Sequence, residues 1–371
     1  MRHMPQALYR KYRPKTLGDL LGQETNVAIL QNAAKAGRIG QAYIFYGPRG
    51  TGKTTTARLL AKLLNCEKRR DDAAFAKRGE PCNECRECRA IDDQTSFDVI
   101  EIDAASNRGI DEIRNLKENI QTAPASASRK VYIIDEAHML TGPAFNALLK
   151  TLEEPPQHAV IVLATTEFEK LPPTITSRAQ RFVFKKLSKA TIVDKLSAIA
   201  KKEKIAIDDA ALELIAAASE GSFRDAESLL DQMASFGKPV TVAEAEQVTG
   251  RTGLRKVHDF AAAIMKPDLA GALGTISSLN DDGYNLVQFT KDLIHYLRKV
   301  LSLKLNPALE KTFEKELTKD ELAGVKKLGA AADPRKLVAI LKALIRAYAE
   351  MRYSPFAVAP LEVMLVEHLS A

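Results

Sequence analysis

The sequence is short of several features that would place it in a special class of protein. Its 4 cysteines in 371 residues are too few for a disulfide framework. No apolar run approaches the roughly 18 residues of a membrane span, and residues 1–10 lack the apolar segment of a signal peptide. Neither sign of charge dominates, because 54 Lys and Arg against 47 Asp and Glu leave +7. We therefore expect a cytoplasmic protein without a membrane segment, and a phosphate-rich partner is permitted but not established.

The first half of the chain alternates short apolar runs with helical patterns. The runs are rich in β-branched and aromatic residues and mostly unbroken, which is typical of strands buried on both faces. This alternation over about 185 residues predicts a mostly parallel α/β sheet. The expected strands are residues 43–46, 99–102, 131–134, 160–163 and 182–184, and the expected helices are 24–36, 53–65, 111–121 and 142–153.

After residue 187 the strand pattern stops and only helical patterns follow. Helices are expected over 188–203, 208–219 and 222–236, with a further helical segment from about residue 250. At roughly 150 residues per domain the length suggests two or three domains. We predict three: an α/β domain over 1–187, a small helical domain over 188–250 and a larger helical domain over 251–371.

A phosphate-binding loop follows the first predicted strand. The run from Gly47 to Thr54 fits G-x-x-x-x-G-K-[ST] and opens a predicted helix, which is the context that the motif requires. The glycines let backbone N–H groups surround phosphates, and the helix N-terminus adds positive potential. Lys53 would reach the β- and γ-phosphates, and the Thr54 hydroxyl would hold Mg²⁺. The candidate nucleotide contacts are Gly47, Pro48, Arg49, Gly50, Thr51, Gly52, Lys53, Thr54 and Thr55.

Two carboxylates follow the third predicted strand. The apolar run from Val131 delivers Asp135 and Glu136 to the carboxyl end of the strand, where ligands bind in open α/β sheets. Asp135 would hold the Mg²⁺, and Glu136 would orient and polarise the attacking water. A strand that ends in Asp-Glu is a weak signal alone, but it gains weight from the phosphate loop upstream.

The cysteines are clustered. Cys82, Cys85 and Cys88 are spaced by two residues, and Cys66 lies upstream. Four thiolates with no open position indicate structural zinc rather than catalysis. An iron–sulfur cluster is the main alternative, although the ferredoxin spacing would place a fourth cysteine three residues further on. Unrelated free cysteines are a third possibility.

Taken together, these motifs resemble the clamp-loader branch of the AAA+ ATPases. The resemblance rests on Tyr9-Arg-Lys-Tyr-Arg-Pro14, the phosphate loop, Ile133-Ile-Asp-Glu-Ala-His-Met139 and Leu148-Leu-Lys-Thr-Leu-Glu-Glu-Pro155. With the four-cysteine insertion, the chain resembles the gamma/tau family of bacterial DNA polymerase III. It runs from about Leu8 to the end and is densest in the first 240 residues.

The resemblance implies roles for several residues whose spacing alone gives only weak evidence of function. Thr166 matches the sensor 1 position, and Arg178 in Ser177-Arg178 matches an arginine finger that reaches ATP on the neighbouring subunit. Arg224 matches sensor 2, which contacts ATP in cis. Arg13 and Pro14 match a segment that lines the adenine pocket, and the four cysteines match zinc ligands. ATP, Mg²⁺ and structural Zn²⁺ are therefore the expected cofactors.

The same resemblance implies the architecture and the partners. The second and third domains would be an ATPase lid and an oligomerising collar. The partners would be the delta, delta-prime and further gamma/tau subunits, the sliding clamp, and primed DNA held through its phosphates. Ser106-Asn107-Arg108 is the candidate DNA contact, against an ordinary loop and helix cap.

Two departures from the family pattern and one apparent absence accompany the resemblance. Residue 179 is Ala where the finger motif usually has Cys, and the long gap between Cys66 and Cys82 predicts that residues 67–80 form an extruded loop. The long tail of tau forms is not seen, so we expect either a gamma-like short form or a chain cut after the third domain.

Three other functions share parts of this pattern. A branch-migration helicase or unfoldase of the AAA+ class would lack the cysteine insertion and the collar. A non-hydrolysing subunit like delta-prime would have a degenerate phosphate loop, whereas Lys53 and Thr54 are intact here. A P-loop kinase would lack Asp135-Glu136 followed by a sensor strand and a helical lid.

Overall fold

A computed structural model describes residues 6–107, 109–250, 252–266, 268–314, 317 and 319–369. The chain divides into two compact units. The first comprises Met1–Leu187 with Ser222–Arg224, and the second comprises Ser188–Gly221 with Asp225–Ala371. Each unit is described by itself below.

The first unit is built on a parallel sheet. The strands are β1 (Ala42–Tyr46), β2 (Val99–Asp103), β3 (Lys130–Asp135), β4 (Ala159–Thr165) and β5 (Gln180–Val183). Their spatial order is β2-β3-β4-β1-β5, and every pairing is parallel. This order sets the carboxyl ends of β3, β4 and β1 side by side, which confirms the predicted parallel α/β sheet.

The two edge strands depart from the expectation of burial on both faces. All seven residues of β4 are buried, whereas Phe182 is the one buried residue of β5 and β2 is only partly covered. An edge strand has one sheet neighbour and an incomplete helical cover, so an unbroken apolar run is not required there. The last strand also ends one residue earlier than predicted, since Phe184 lies beyond it.

Helices cover both faces of this sheet. Alternate residues of β3 lie on opposite faces of the sheet. Tyr132 and Ile134 pack with the helices Ile110–Gln121 (α7) and Gly142–Glu153 (α8), and Val131 and Ile133 pack with Glu24–Lys35 (α2) and Lys53–Asn65 (α3). Thr141 caps α8 through the amide of Ala144, as the sequence predicts. The helices are α1 (Leu8–Lys11), α2 (Glu24–Lys35), α3 (Lys53–Asn65), α4 (Glu67–Asp71), α5 (Ala73–Ala76), α6 (Arg86–Asp92), α7 (Ile110–Gln121), α8 (Gly142–Glu153) and α9 (Pro173–Thr176), with 3₁₀ turns at Leu17–Asp19, Ala137–Met139 and Phe168–Lys170.

The expected extruded loop at residues 67–80 is wrong. This segment contains the short helices α4 and α5, and both of its ends are tied to the core. The Arg69 guanidinium donates to the carbonyls of Leu63, Ala76 and Ala34 at 3.0–3.1 Å. Glu80 accepts from the amides of residues 17 and 18 at 2.7 and 2.9 Å. Arg69 and Glu80 therefore bind backbone groups, and the segment is a pair of short helices rather than an extruded loop.

The second half of the chain is helical, as predicted. Its helices are α10 (Lys189–Glu203), α11 (Asp209–Ala218), α12 (Phe223–Ala234), α13 (Val242–Thr249), α14 (Leu254–Ile264), α15 (Leu269–Asp281), α16 (Leu286–Leu305), α17 (Glu310–Phe313), α18 (Lys319–Ala331), α19 (Pro334–Met351) and α20 (Ala359–Leu369), with a 3₁₀ turn at Pro307–Leu309. The central helix α16 buries Phe289, Leu293 and Leu297 in the same core as Leu337 and Leu344 of α19. The boundary near residue 250 stays a prediction. Within the described ranges, no helix has both the length and the apolar character needed to cross a bilayer.

Candidate nucleotide site and cysteine cluster

The loop after β1 has a backbone that only glycine accepts at its key positions. Gly47, Gly50 and Gly52 have φ values of 144°, 71° and 101°. A Cβ on Gly47 would lie 2.2 Å from the Phe184 carbonyl oxygen, and one on Gly50 would lie 1.8 Å from Ser222 Oγ. Arg49 of the same loop is exposed, and Thr55 is half-buried at the start of α3. The glycines of the motif therefore shape a tight turn at the N-terminus of α3.

Lys53 points back into this loop. Its side chain is buried, and Nζ donates to the carbonyls of Gly47 and Pro48, both at 2.8 Å. Burial lowers the pKa of Lys53, and the carboxylates of Glu136 and Asp135 act against that shift. The arrangement holds an ammonium group in the position where the motif binds polyphosphate.

The predicted magnesium ligands lie together. Thr54 Oγ1 donates to Asp135 Oδ2 at 2.7 Å, although the two residues are 81 positions apart. The other carboxylate oxygen of Asp135 accepts the amide of Glu136 at 2.9 Å. A hydroxyl and a carboxylate are oxygen ligands of the kind that Mg²⁺ prefers, so the residues fit this ion.

Glu136 lies between Asp135 and the end of β4. Its backbone is left-handed, with φ 47°, which turns the side chain away from the strand direction. Thr166 Oγ1 donates to Glu136 Oε2 at 3.0 Å. The structure thus brings Thr166 and Glu136 into contact, as expected for two residues at adjacent strand ends.

His138 belongs to the motif from Ile133 to Met139, but the sequence assigns it no role. This buried imidazole lies 2.9 Å from Thr165 Oγ1 and 3.5 Å from Glu136 Oε2. The sequence alone does not show that its ring contacts Thr165 on β4.

Two of the arginines that the resemblance assigns to the nucleotide, Arg13 and Arg224, lie close enough for their charges to interact. The Arg224 guanidinium lies 5.2 Å from the centre of the Tyr9 ring. Arg13 is half-buried, and its pKa is lowered by burial and by the positive charges of Arg58 and Arg224. Pro14 follows directly. Positive charges that lie close together repel one another, so a polyanion between or beside them is favoured.

Arg178 lies elsewhere on the first unit. Among the described residues its guanidinium contacts Glu153 Oε1 at 2.7 Å and the Thr174 carbonyl at 2.6 Å, with Ser177 Oγ at 3.2 Å. It is exposed at the end of α9. These bonds do not join Arg178 to the chain's own phosphate loop.

The candidate DNA segment is folded on itself. Ser106 Oγ donates to Asp103 Oδ2 at 3.2 Å, and Asn107 Nδ2 donates to the Asp103 carbonyl at 3.1 Å. Arg108 lies outside the described residues. Both Ser106 and Asn107 are exposed, so they remain accessible to a partner.

The four cysteines converge where α3 ends and α6 begins. Their Sγ atoms all lie within 4.8 Å of one another, and those of Cys82 and Cys88 are 4.0 Å apart. Backbone amides donate to the sulfurs of Cys66, Cys82 and Cys85 at 3.3–3.5 Å. A hydrogen bond from Cys88 holds the pKa of Cys66 below its usual range.

This geometry fits one tetrahedral ion. Zinc–thiolate bonds of about 2.3 Å place the ligand sulfurs about 3.8 Å apart. An iron–sulfur cluster would hold its cysteine sulfurs further apart, since several iron and sulfide atoms lie among them. The thiol set and its amide donors are therefore compatible with zinc.

Family models match the chain in three consecutive stretches. Residues 22–188 match "DNA polymerase III, delta subunit", residues 191–239 match "DNA polymerase III clamp loader subunit, ATPase lid domain", and residues 240–371 match "DNA polymerase III subunits gamma and tau domain III". The matches follow one another almost without a gap.

Curated relatives agree with these matches. The DNA polymerase III subunit tau of Bacillus subtilis is 41% identical over 372 residues, which cover 99% of this chain and 64% of the relative. The Escherichia coli subunit tau is 41% identical over 304 residues, which cover 82% of this chain and 46% of the relative. The chain therefore spans less than two thirds of either relative. Among solved structures, the Thermotoga maritima RuvB Holliday junction branch migration motor aligns with a TM-score of 0.46 and 20% identity, over 72% of this chain and 85% of that one.

Proposed function

The chain belongs to the gamma/tau family of DNA polymerase III clamp-loader subunits, and on that premise we propose that it is an ATP-hydrolysing motor subunit of a replicative clamp loader. It would bind and hydrolyse ATP at subunit interfaces, open the sliding clamp and load it onto primed DNA. The observation that carries the proposal is the contact between Thr54 and Asp135 at 2.7 Å, with buried Lys53 and the Thr166–Glu136 pair beside it.

ATP would occupy the loop from Gly47 to Thr55. Lys53 would bind the β- and γ-phosphates, while Thr54 and Asp135 would hold Mg²⁺. Glu136 would orient the attacking water, and Thr166 would hold Glu136 and sense the γ-phosphate. The contacts given above support these roles, because Lys53 Nζ lies within the loop, Thr54 contacts Asp135 and Thr166 contacts Glu136.

The arginines would link ATP to the rest of the assembly. Arg224 would contact the nucleotide in cis, and Arg13 with Pro14 would border the adenine. Arg178 would act as a finger on the ATP of the neighbouring subunit. Its exposure and its hydrogen bonds to Glu153, Thr174 and Ser177, which lie outside the chain's own phosphate loop, support a role in trans.

The remaining features would organise the complex. Zinc held by the four cysteines would fasten α6 to the end of α3. Residues 188–250 would form the lid and residues 251–371 the collar. The delta, delta-prime and further gamma/tau subunits, the sliding clamp and primed DNA would be the partners, in the cytoplasm.

The test is the ATPase rate of the reconstituted assembly with and without primed DNA and sliding clamp. We expect both additions to raise the rate. The Lys53→Ala variant is the control, and it should lose ATP binding because the loop then lacks its buried cation. Rates that do not respond to DNA or to clamp contradict the proposed function, and a kinase-like transfer of phosphate to an acceptor supports the alternative enzyme class.

A further inference from the structure

Lys62 is a buried lysine that the roles assigned above do not use. It lies on α3 and is only 1% exposed, and its backbone carbonyl accepts the amide of Cys66 at 2.8 Å. Burial of an ammonium group costs free energy unless the group is paired and hydrogen-bonded. The partners of Lys62 therefore indicate what this buried charge holds together.

Among the described residues, the ammonium group has two polar partners, and both lie in the segment that carries three of the four cysteines. Lys62 Nζ donates to Asn83 Oδ1 at 3.0 Å and forms an ion pair with Asp92. Asn83 lies in the turn between Cys82 and Cys85, and Asp92 is the last residue of α6. One ammonium group thus joins α3 to the turn before α6 and to the end of α6.

The turn between Cys82 and Cys85 has a backbone that suits Asn83. Its φ of 62° lies in the left-handed region, which asparagine adopts more readily than most residues. The amides of Glu84 and Cys85, which follow in the same turn, both donate to Cys82 Sγ, at 3.4 and 3.3 Å. Because this turn sets the directions of the Cys82 and Cys85 sulfurs, a bond that fixes Asn83 also fixes these two ligands.

The ion pair with Asp92 acts on the third cysteine of the segment. Asp92 ends α6, where its carboxylate meets the negative end of the helix dipole, so a cationic partner is favoured there. Cys88 lies on the same helix and is fully buried. Attachment of α6 to α3 through this ion pair therefore also restricts the position of the Cys88 sulfur.

We propose that Lys62 is a positioning residue of the metal site: its ammonium group, bonded to Asn83 and Asp92, holds the Cys82–Cys85 turn and α6 in the geometry that four sulfur ligands need around one zinc ion. The inference rests on the zinc site of the proposed function and adds a residue outside the ligand set. Groups that orient metal ligands typically change metal affinity by about 10- to 100-fold when they are removed. A lysine with only a packing role would act through its hydrocarbon stem, which methionine replaces.

The first test measures the zinc dissociation constant of the purified full chain by competition with a chromogenic chelator. Lys62→Met keeps most of the side-chain volume and removes the ammonium group, so we expect the zinc dissociation constant to rise by about 10- to 100-fold. The matched control is Lys130→Met, because Lys130 is also buried in the first unit and its ammonium group donates to the Asn119 carbonyl at 3.1 Å. Zinc affinity should be nearly unchanged in this control. An unchanged zinc affinity in Lys62→Met, or an equal loss in both variants, overturns the proposal.

The second test examines the hydrogen bond itself. Asn83→Gly removes the acceptor and keeps a residue that readily adopts positive φ. We expect Asn83→Gly to bind zinc more weakly than the original protein. The double variant with Lys62→Met should bind zinc about as weakly as Lys62→Met alone, because the same bond is already lost. Losses that multiply in the double variant contradict a shared contact.

Cobalt binding distinguishes positioning from a requirement for folding. At saturating Co²⁺, Lys62→Met should show the absorption of a tetrahedral thiolate site, as the original protein does, because the four ligands are still present. Loss of that absorption at saturation would show that the segment no longer assembles a site at all, and it overturns a positioning role.

These measurements do not involve ATP hydrolysis, so they separate the inference from the motor function. Metal analysis of the original protein tests the zinc site directly, and a chain that binds no zinc contradicts that part of the proposed function and the inference with it. Equal zinc affinity in the original protein and Lys62→Met contradicts the inference alone. If Lys62→Met weakens zinc binding as expected while the assembly lacks ATPase activity, the motor function fails and the role of Lys62 stands.

Discussion

Replacing Asp98 by alanine should release the loop that leads into β3. Asp98 is fully buried just before β2, and its carboxylate accepts the amides of Ala125, Ser126 and Ala127, each at 2.8 Å. Its own carbonyl accepts the amide of Val131, also at 2.8 Å. One side chain therefore orders the approach to the strand that ends in Asp135.

The magnitude follows from these three bonds. Each hydrogen bond to a charged group contributes about 1.5–3 kcal/mol net, and the three together would exceed 4 kcal/mol if all were lost without compensation. Ala125 and Ser126 are exposed, so water replaces part of what the carboxylate supplied. We expect Asp98→Ala to cost about 3 kcal/mol of local stability.

Hydrogen exchange measures this loss at the affected amides. About 3 kcal/mol corresponds to exchange roughly 100-fold faster at residues 125–127 under native conditions. Ser126→Ala is the control, because it removes the hydroxyl contacts with Asp98 at 3.4 Å and with Glu87 at 3.0 Å and keeps all three amide bonds. Exchange within threefold of the original protein in Asp98→Ala would refute the assignment of these bonds as the support of the loop.

The same carboxylate predicts a pH dependence. Burial by itself raises the pKa of Asp98, but the three amides and the charge of Lys130 outweigh it, so the pKa is lowered overall. Because the folded-state pKa of Asp98 lies below the unfolded value of about 3.9, the ionised carboxylate stabilises the fold at pH values above about 3.9. This stability is lost as the pH falls through the folded pKa. The difference in unfolding free energy between the original protein and Asp98→Ala should therefore shrink below about pH 4.

Two further predictions concern the trans contact and the metal. Arg178→Ala should leave ATP binding to the altered subunit nearly intact and lower ATP hydrolysis at the neighbouring subunit's site by about 10³-fold. Mixed assemblies of altered and original subunits measure both quantities. Weakened ATP binding with normal hydrolysis per bound ATP would show that the finger assignment is wrong. Cys85→Ala should release zinc, measured by metal analysis, and lower the melting temperature of the first unit, because α6 would lose its attachment to the end of α3. The melting temperature of Arg86→Ala, a neighbour outside the cysteine set, should be nearly unchanged, and an equal loss in both variants would contradict a structural metal.

The motifs of the site can be recognised in the sequence because each depends on residue types that lie close together along the chain. A loop that surrounds phosphates needs glycine where φ is positive, and Gly47, Gly50 and Gly52 show this directly. Asp135 and Glu136 were found for a related reason, since a buried strand must end before polar groups can follow. Parallel strands then bring such ends to one edge of the sheet, and the Thr54–Asp135 contact follows from that rule.

The sequence does not predict the structure of residues 67–80, because the groups that these residues contact are distant along the chain. Arg69 looks like one charge in a polar run, yet one of its acceptors is the Ala34 carbonyl at the end of α2. Glu80 likewise reaches back to the amides of residues 17 and 18. Periodicity detects amphipathic faces and gives no signal for a side chain that satisfies backbone groups of another element.

By itself, the sequence determined the α/β class, the phosphate loop, the paired carboxylates and the cysteine set. Each of these depends on residue types at fixed short spacing, which the backbone geometry of a turn or a strand end converts directly into chemistry. Only the tertiary structure decided that Thr166 donates to one oxygen of Glu136, and that the Asp98 carboxylate holds the loop before β3. These contacts join strands and loops separated by about 30 residues, and they depend on the order β2-β3-β4-β1-β5, which burial and hydrogen bonding of the whole sheet select.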